Sequence, residues 1–208
     1  MILTGPEILR VIRRTRSDKR DGTPQVLPAI DVEPFAPEHI GPNSLDVRLG
    51  PVLRVYKLPT KILRTGDGMM YTERCLDMLA DNPTVDIPIP DEGYLLVPGT
   101  LYLGSTVERT ETHGLVPWFD GRSSVGRLGI GTHVTAGRGD DGFMGHWTLE
   151  ITVVHPIRVY AGVRIGQISF FGVLGERAPY QGRYQNQSAE PTACRLWVDT
   201  PIPQKDHT

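Results

Sequence analysis

Hydrophobic residues recur at helical spacing in the first part of the chain. Thr4 and Glu7 have the spacing of a capping box, and Pro6 falls in the first turn, where its missing N–H does no harm. Apolar side chains follow at helical intervals, at Ile8, Leu9 and Ile12. The pattern predicts a helix over about 5–15. The charged segment 13–24 is expected to be a solvated helix end and loop, with a nucleic-acid patch as the weaker alternative.

From about residue 43 the hydrophobic period shortens to that of β-strands. Short segments rich in β-branched and aromatic residues, often alternating, are punctuated by glycine and proline, of which the chain has 23 and 18. The segments are SLDVRLG, VLRVYKL, GYLLVPG, TLYLGSTVER, GLVPWF, HWTLEITVV, PIRVYAG and VRIGQISFFGV. This succession predicts a mainly β chain, either a sandwich or a barrel.

Two regions depart from the strand pattern. Residues 61–93 indicate an irregular insertion, with a short helix near 73–80. Residues after about 175 are rich in Gln, Asn, Tyr and Pro and predict an extended C-terminal arm. We find no internal repeat, and we expect one domain over 1–208.

Composition and charge exclude several classes of protein. With 208 residues, 39% hydrophobic and 22% charged, the chain suits one domain with a hydrophobic core. A net charge of −2 and a pI of about 6.3 disfavour nucleic acid as a partner.

The two cysteines, Cys75 and Cys194, form no CxxC pair and are expected to be reduced. Neither a signal-peptide pattern nor an apolar run of roughly 20 residues is found, so we expect a cytoplasmic protein with no membrane partner.

A glutamate stands in the middle of the predicted strand HWTLEITVV (146–154). Alternation gives one face four apolar side chains, those of Trp147, Leu149, Ile151 and Val153. Glu150 lies on the other face, and glutamate is a poor strand residue. A carboxylate that faces solvent and a rigidly held acid–base group both fit this position, because the strand supplies rigidity but reveals nothing of the surroundings.

The segment GRSSVGR (121–127) combines glycines, hydroxyls and guanidinium groups. Arginine forks suit phosphate oxygens and glycine permits close backbone approach. The GK[ST] ending of a Walker loop is absent. Phosphate binding and a polar turn therefore both stay open.

The segment AGRGDDGF (136–143) has the glycines of a hairpin and two adjacent acids. Asp140 or Asp141 could bind a metal, accept a sugar hydroxyl or cap the turn. Phe143 could stack on a ligand ring or pack against the protein. A zinc nucleobase deaminase would carry H-x-E followed by P-C-x-x-C, and this sequence has neither motif. Any hydrolytic deamination here is expected to activate water without a protein-bound zinc.

Taken together, these motifs resemble the dCTP deaminase family of the trimeric dUTPase-like superfamily. The similarity runs through PNSLDVRLG, GRSSVGRLGI, HVTAGRGDDGFMGHWTLE, RIGQISF and YQGRYQNQ. It implies a mainly β, distorted barrel or jelly-roll of dUTPase-like type, with the short N-terminal helix and the C-terminal arm. It also implies a homotrimer with active sites between subunits and dCTP as the substrate.

The resemblance implies a role for each matched residue. Glu150 would take a proton from water as the water attacks C4 of cytosine, and Ser123 and Arg127 would position the water and the glutamate. The nucleotide contacts would be Arg122 and Ser124 on the triphosphate, Asp140 on the 3′-hydroxyl, Phe143 beneath the sugar, Ala136 and Thr148 at the base, and Tyr180, Arg183, Tyr184 and Gln187 from an arm folded over the phosphates. Mg²⁺ would be bound through the substrate triphosphate, with no protein metal ligand and no zinc.

Three features depart from the family pattern. Gly139 and Asp141 flank the sugar-binding position, where the family usually has an apolar residue and a proline. Arg183 replaces the arm lysine, which keeps the charge but changes the geometry. Segment 61–93 has no clear counterpart, so it could be a lid, a trimer contact or a specificity element.

Three functions follow in order of preference. The first is deamination of dCTP to dUTP and ammonia. The second is the bifunctional reaction that continues to dUMP and pyrophosphate, which the combination of TAG with GF favours. The third is a non-catalytic, nucleotide-binding trimer. A plain dUTPase is disfavoured because the glycine-rich phosphate arm of that family is missing and Glu150 would lack a purpose.

Overall fold

The computed structural model describes residues 1–58, 60–64, 66 and 68–198, and most of its regular structure is β. The helices are α1 (Gly5–Asp21) and α2 (Ser123–Arg127). The strands are β1 (Ala29–Glu33), β2 (Leu45–Arg48), β3 (Val52–Tyr56), β4 (Thr60–Arg64), β5 (Met70–Arg74), β6 (Thr84–Pro88), β7 (Tyr94–Leu96), β8 (Tyr102–His113), β9 (Leu115–Gly121), β10 (Ile130–Gly131), β11 (Met144–Val153), β12 (Ile157–Val159) and β13 (Arg164–Gly172). The predicted mainly β class is confirmed.

Helix α1 is longer than the predicted helix over 5–15 and includes most of the segment 13–24, which was expected to be a solvated helix end and loop. Its buried face consists of Gly5, Ile8, Val11, Ile12 and Thr15. The helix ends where Gly22 adopts a left-handed conformation with φ of 68°. The predicted capping box does not form: Thr4 is the N-cap residue but its side chain makes no capping hydrogen bond. Glu7 instead pairs with Arg10, one turn further along.

Two sheets enclose the core. The larger has the order β10-β11-β8-β3-β6, with β1 paired to the other end of the long strand β8. The smaller has the order β2-β13-β9. Their facing side chains form one cluster, whose fully buried members include Leu49, Leu53, Leu149, Ile168 and Phe170. The apolar side chains of β11 pack into this interior, so the strand is held rigidly and its opposite face is a fixed platform.

The insertion over 61–93 is more regular than expected. Strands β4 and β5 form an antiparallel hairpin, and β6 joins the large sheet beside β3. The predicted helix near 73–80 is wrong. The side chain of Asp77 accepts the N–H of Leu79, and the Asp77 carbonyl accepts the side-chain amide of Asn82 at 2.6 Å. Such local bonds favour a turn over a helix.

The C-terminal arm is extended, as predicted, and lies along the start of β11. Gly145 and Gln187 form a parallel bridge, and the N–H of His146 donates to the carbonyl of Gln187 at 3.0 Å. A short 3-10 turn, Leu196–Val198, follows. The last part of the predicted arm, 199–208, lies outside the described residues.

Neither cysteine takes part in a disulfide within the described chain. Among the same residues, no helix has both the length and the apolar character that a bilayer crossing requires.

Candidate active site

Strand β11 alternates as the sequence predicts, and this alternation positions the candidate site. Its apolar face is buried at Trp147, Leu149, Ile151 and Val153. The opposite face carries Thr148 and Glu150 into a cleft of about 490 Å³. A cavity of this size suits a nucleoside-sized ligand.

The cleft brings together eight of the predicted site residues, from β11, from the preceding turn and from the arm. These are Ala136, Asp140, Phe143, Thr148, Glu150, Tyr180, Tyr184 and Gln187. The rest of its wall is formed by Tyr56, Leu101, Leu103, Arg138, Gly139, Trp147, Thr192, Ala193 and Cys194. Residues from four separate stretches of chain thus converge at one place.

The carboxylate of Glu150 is held at the wall of this cleft. Its Oε2 atom accepts a hydrogen bond of 2.7 Å from the N–H of Val134. The backbone N–H of Glu150 donates to the carbonyl of Thr132 at 3.0 Å. The glutamate is half-buried rather than directed into open solvent. Of the two alternatives that alternation left open, the geometry therefore favours the rigidly held group.

Thr148 joins the strand to the arm at the floor of the cleft. Its hydroxyl donates to Oε1 of Gln187 at 2.6 Å and accepts from the N–H of Thr192 at 3.1 Å. The predicted base-pocket residue and the predicted arm residue are thus direct partners. The arm therefore closes one side of the cleft of its own chain.

The two adjacent aspartates have different surroundings. Asp141 is 7% exposed and caps the turn, because its Oδ1 atom accepts the N–H of Gly114 at 2.7 Å. Arg177 also pairs with it, at 2.6 Å. Burial acts to raise the pKa of Asp141, but the bonds from Arg177 and Gly114 outweigh it and hold the pKa below its ordinary value. Asp140 is exposed and lines the cleft, so it is the acid available to a ligand.

Phe143 packs within the protein while it contributes to the cleft wall. It is 7% exposed, and its ring lies 5.2 Å from that of Trp147 and 6.1 Å from that of Tyr180, measured between centroids. The packing alternative is confirmed. Contact with a sugar stays a prediction.

The serine–arginine segment forms the short helix α2 rather than a simple turn. Nε of Arg122 lies 3.2 Å from Oδ1 of Asp46. Ser123, Ser124 and Arg127 are exposed. None of these four is among the described residues that line the cleft beside Glu150. One chain therefore does not unite the two predicted halves of the site.

Arg183 also lies apart from Glu150. It lines a neighbouring open groove of about 850 Å³. Tyr180 and Tyr184 line both this groove and the cleft. The groove therefore continues from the cleft along the arm, where a phosphate chain could extend.

Tyr56 is a cleft residue that the sequence analysis missed. It ends β3, and its hydroxyl oxygen accepts the N–H of Cys194 at 2.8 Å. Burial raises the pKa of Tyr56, outweighing the hydrogen bond from Cys194. Alternation in VLRVYKL gives no signal for this role, because the arm residue that meets it is 138 positions away.

The described residues contain no group of three or more His, Cys, Asp or Glu side chains placed to hold a metal ion. Magnesium carried by a triphosphate stays a prediction.

Comparisons with known proteins identify the family of the chain. A family model described as dCTP deaminase-like matches residues 2–173. A "dCTP deaminase, dUMP-forming" of Leptospira biflexa is 47% identical over 194 residues, covering 92% of this chain and 95% of the relative. One of Hathewaya histolytica, with the same description, is 43% identical over 189 residues, covering 90% of this chain and 93% of the relative.

A solved structure is similar in fold. The 2′-deoxycytidine 5′-triphosphate deaminase of Agrobacterium tumefaciens matches with a TM-score of 0.55 and 24% identity over 83% of this chain. The chain spans about half of that protein, 48% of its length. From the family model and the relatives at 43–47% identity, it follows that the chain belongs to the dCTP deaminase-like family.

Proposed function

We propose that the protein converts dCTP to dUMP, with release of ammonia and pyrophosphate. The observation that carries this proposal is the carboxylate of Glu150, fixed on a rigid strand inside a nucleoside-sized cleft. The relatives described as dUMP-forming support the bifunctional reaction over release of dUTP. This reverses the order expected from the sequence, where dUTP came first.

The first step is hydrolytic deamination at C4 of cytosine. Glu150 accepts a proton from water as the oxygen attacks C4, and the ring nitrogen N3 takes up a proton. The C4 hydroxyl of the tetrahedral intermediate then gives up its proton, which passes through Glu150 to the C4 amino group. The C4–N bond breaks and ammonia leaves, with the uracil carbonyl in its place, so that dCTP and water give dUTP and ammonia. The N–H of Val134 keeps the carboxylate in one orientation. A positioned general base of this kind contributes on the order of 10²–10⁴ in rate.

The remaining cleft residues hold the nucleoside. Ala136 and Thr148 line the base end, and Asp140 accepts the 3′-hydroxyl of the sugar. Phe143 supports the sugar from below, with its ring held by Trp147 and Tyr180. Because these groups sit on the same turn and strand as Glu150, they orient C4 toward the carboxylate.

The second step is attack of water on the α-phosphorus of dUTP. The bond to the bridging oxygen breaks, so that dUTP and water give dUMP and pyrophosphate. Asp140 is the cleft acid that we assign to orienting this water. The magnesium-bound triphosphate is contacted by Arg122 and Ser124, and by Tyr180, Arg183 and Tyr184 of the arm.

The proposed assembly is a homotrimer with sites between subunits. The exposure of Ser123, Ser124 and Arg127, away from the cleft of their own chain, supports this arrangement. A neighbouring copy would bring its α2 to the cleft and complete the set of serines and arginines. Each cleft would then contain Glu150 from one subunit and Arg127 from another.

A product assay tests the reaction. The protein is incubated with dCTP and magnesium, and ammonia, dUTP, dUMP and pyrophosphate are resolved over time. Ammonia with equal amounts of dUMP and pyrophosphate is expected. Accumulating dUTP would overturn the second step alone. Binding of dCTP without ammonia at any pH would overturn the enzyme assignment and favour a non-catalytic nucleotide-binding protein.

A further inference from the structure

The turn that carries Asp140 is held by a charged contact to the root of the arm. Nε of Arg177 donates to Oδ2 of Asp141 at 2.6 Å, and Nη2 donates to Oδ1 at 2.8 Å. This is a two-pronged pair, which fixes the orientation of both groups. The Asp141 side chain is 8% exposed and that of Arg177 is 31% exposed, so water screens the contact only in part.

Backbone contacts reinforce the same junction. The N–H of Tyr180 donates to the carbonyl of Asp141 at 2.7 Å. The side chain of Gln185 donates to the carbonyl of Gly142 at 2.8 Å and accepts the N–H of Met144 at 3.0 Å. The arm therefore meets the turn at three successive points along the chain.

The approach of the two segments is close. Gly142 has φ of +92°, and a Cβ atom at this position would lie 3.0 Å from Cβ of Pro179. The turn and the arm are therefore in direct contact beside the Arg177–Asp141 pair. Asp140 on the turn and Tyr180 on the arm both line the cleft, so movement at this junction changes the distance between two of its walls.

We propose that Asp141 and Arg177 are positioning residues that latch the arm to the turn and hold Asp140 and Tyr180 in place for the nucleotide. The proposal rests on the proposed function for its kinetic consequence. Neither residue is among the described residues that line the cleft. Asp141 positions the turn, in which the preceding residue is Asp140 of the cleft wall. Arg177 positions the arm, which carries Tyr180.

Kinetics of three variants test the latch. Asp141→Asn keeps the size and an acceptor for Gly114 but loses the charge, and Arg177→Gln removes the guanidinium. Each is expected to raise KM for dCTP by roughly 5- to 20-fold, while kcat for ammonia release stays within about twofold of the parent, since nucleotide binding rather than proton transfer by Glu150 is altered. The KM of the double variant is expected to be no higher than that of the single variant with the higher KM, because the two residues act as one unit. Additive losses would overturn the proposal.

Two controls separate positioning from general stability. Asp91→Asn removes an exposed carboxylate that does not line the cleft, and its KM and kcat are expected to match the parent. Arg177→Lys keeps the charge without the two-pronged geometry and is expected to recover part of the lost affinity. If Arg177→Lys has the same raised KM as Arg177→Gln together with a lowered unfolding temperature, the role of Arg177 is merely structural and the proposal is overturned.

Hydrogen exchange tests the latch without any nucleotide. The N–H groups of Tyr180 and Asn186 donate to the turn and to Met144, and they are expected to be protected in the parent. In Asp141→Asn and Arg177→Gln their exchange is expected to accelerate at least about tenfold while core amides of β8 do not change. Unchanged exchange would overturn the latch. Absence of dCTP turnover in the parent would instead overturn only the proposed function, since exchange is measured on the free protein.

Discussion

At the scale of single residues, strand periodicity predicts the direction in which a side chain points but not the groups that surround it. The alternation of HWTLEITVV correctly separates the buried face of β11 from the face of Glu150. It does not reveal the N–H of Val134, which comes from a loop 16 residues earlier and holds the carboxylate. Likewise, the pair Asp140 and Asp141 looks equivalent in sequence, and only the contacts of Asp141 with Gly114 and Arg177 distinguish them.

Substitution of the candidate base is the most direct test at this scale. Glu150→Gln keeps the size of the side chain and can still accept the N–H of Val134, but it cannot take a proton from water. We expect ammonia release to fall by at least about 100-fold, while the dissociation constant for dCTP changes little. Stopped-time ammonia assays and calorimetric titration measure the two quantities.

Thr152→Ala is a matched control for that substitution. Thr152 lies two residues beyond Glu150 on the same face of β11 but is exposed and does not line the cleft. Its turnover is expected to equal that of the parent. Retained turnover in Glu150→Gln would remove the glutamate from its assigned role.

At the scale of elements, the errors of sequence reasoning have both distant and local causes. Helix α1 continues past residue 15, and Lys19 in its last turns pairs with Asp31 of β1 and Glu111 of β8, at 2.7 and 2.9 Å. No local pattern contains these carboxylates. The hairpin β4–β5 was missed for a local reason. Among the described residues its two strands pair with each other and not with a larger sheet, and its sequence does not alternate regularly. The larger sheets were predictable because apolar alternation there reflects one shared core.

Acid titration tests the pairing of α1 with the sheet. Burial acts to raise the pKa of Glu111, but bonds from Lys19 and His113 outweigh it and hold the pKa below its ordinary value of 4.5. A lowered folded-state pKa stabilises the protein above the unfolded value, and this contribution is lost as the pH falls through the folded value. Glu111→Gln is therefore expected to lower the unfolding temperature at pH 7 by roughly 2–4 °C, or about 1 kcal/mol.

The pH dependence distinguishes this ion pair from a packing effect. The difference in unfolding temperature between Glu111→Gln and the parent is expected to shrink as the pH falls below the ordinary value of 4.5 and through the lowered folded-state pKa, because Glu111 of the parent becomes protonated as the pH falls through that pKa. Thermal unfolding followed by circular dichroism measures it. Glu38→Gln, at an exposed carboxylate on the 3-10 turn Pro37–His39, is the control and should leave the unfolding temperature at pH 7 unchanged. A difference that is constant with pH would contradict the assignment.

At the scale of the whole molecule, one chain does not bring all the predicted site residues to one cleft. The sequence resemblance predicted shared sites, and the exposed α2 supports them, but a single chain does not contain the contact itself. Composition and periodicity describe how a chain buries its own core, and they contain no information on which surface meets a second copy. The predicted assembly therefore depends on family resemblance and on the separation of Arg127 from Glu150.

Mixing two inactive variants tests the shared site. Glu150→Gln lacks the base, and Arg127→Ala lacks the positioning arginine, so each alone is expected to be inactive. If each site takes one residue from each of two neighbours, random mixed trimers formed at equal amounts should regain about a quarter of the parent activity. Subunits are exchanged by mild denaturation and refolding, and ammonia release is measured. No recovery would contradict sites built between copies.

The arm lies against Gly145 so closely that a side chain at this position would have no space. The φ of Gly145 is +142°, and a Cβ atom here would come within 2.7 Å of the backbone nitrogen of Gln187. We expect Gly145→Ala to displace the arm from β11 and to separate Gln187 from Thr148. The arm should then become accessible to proteases while the core between the two sheets stays folded. Limited proteolysis of this variant against the parent would show whether the arm can detach independently of the core.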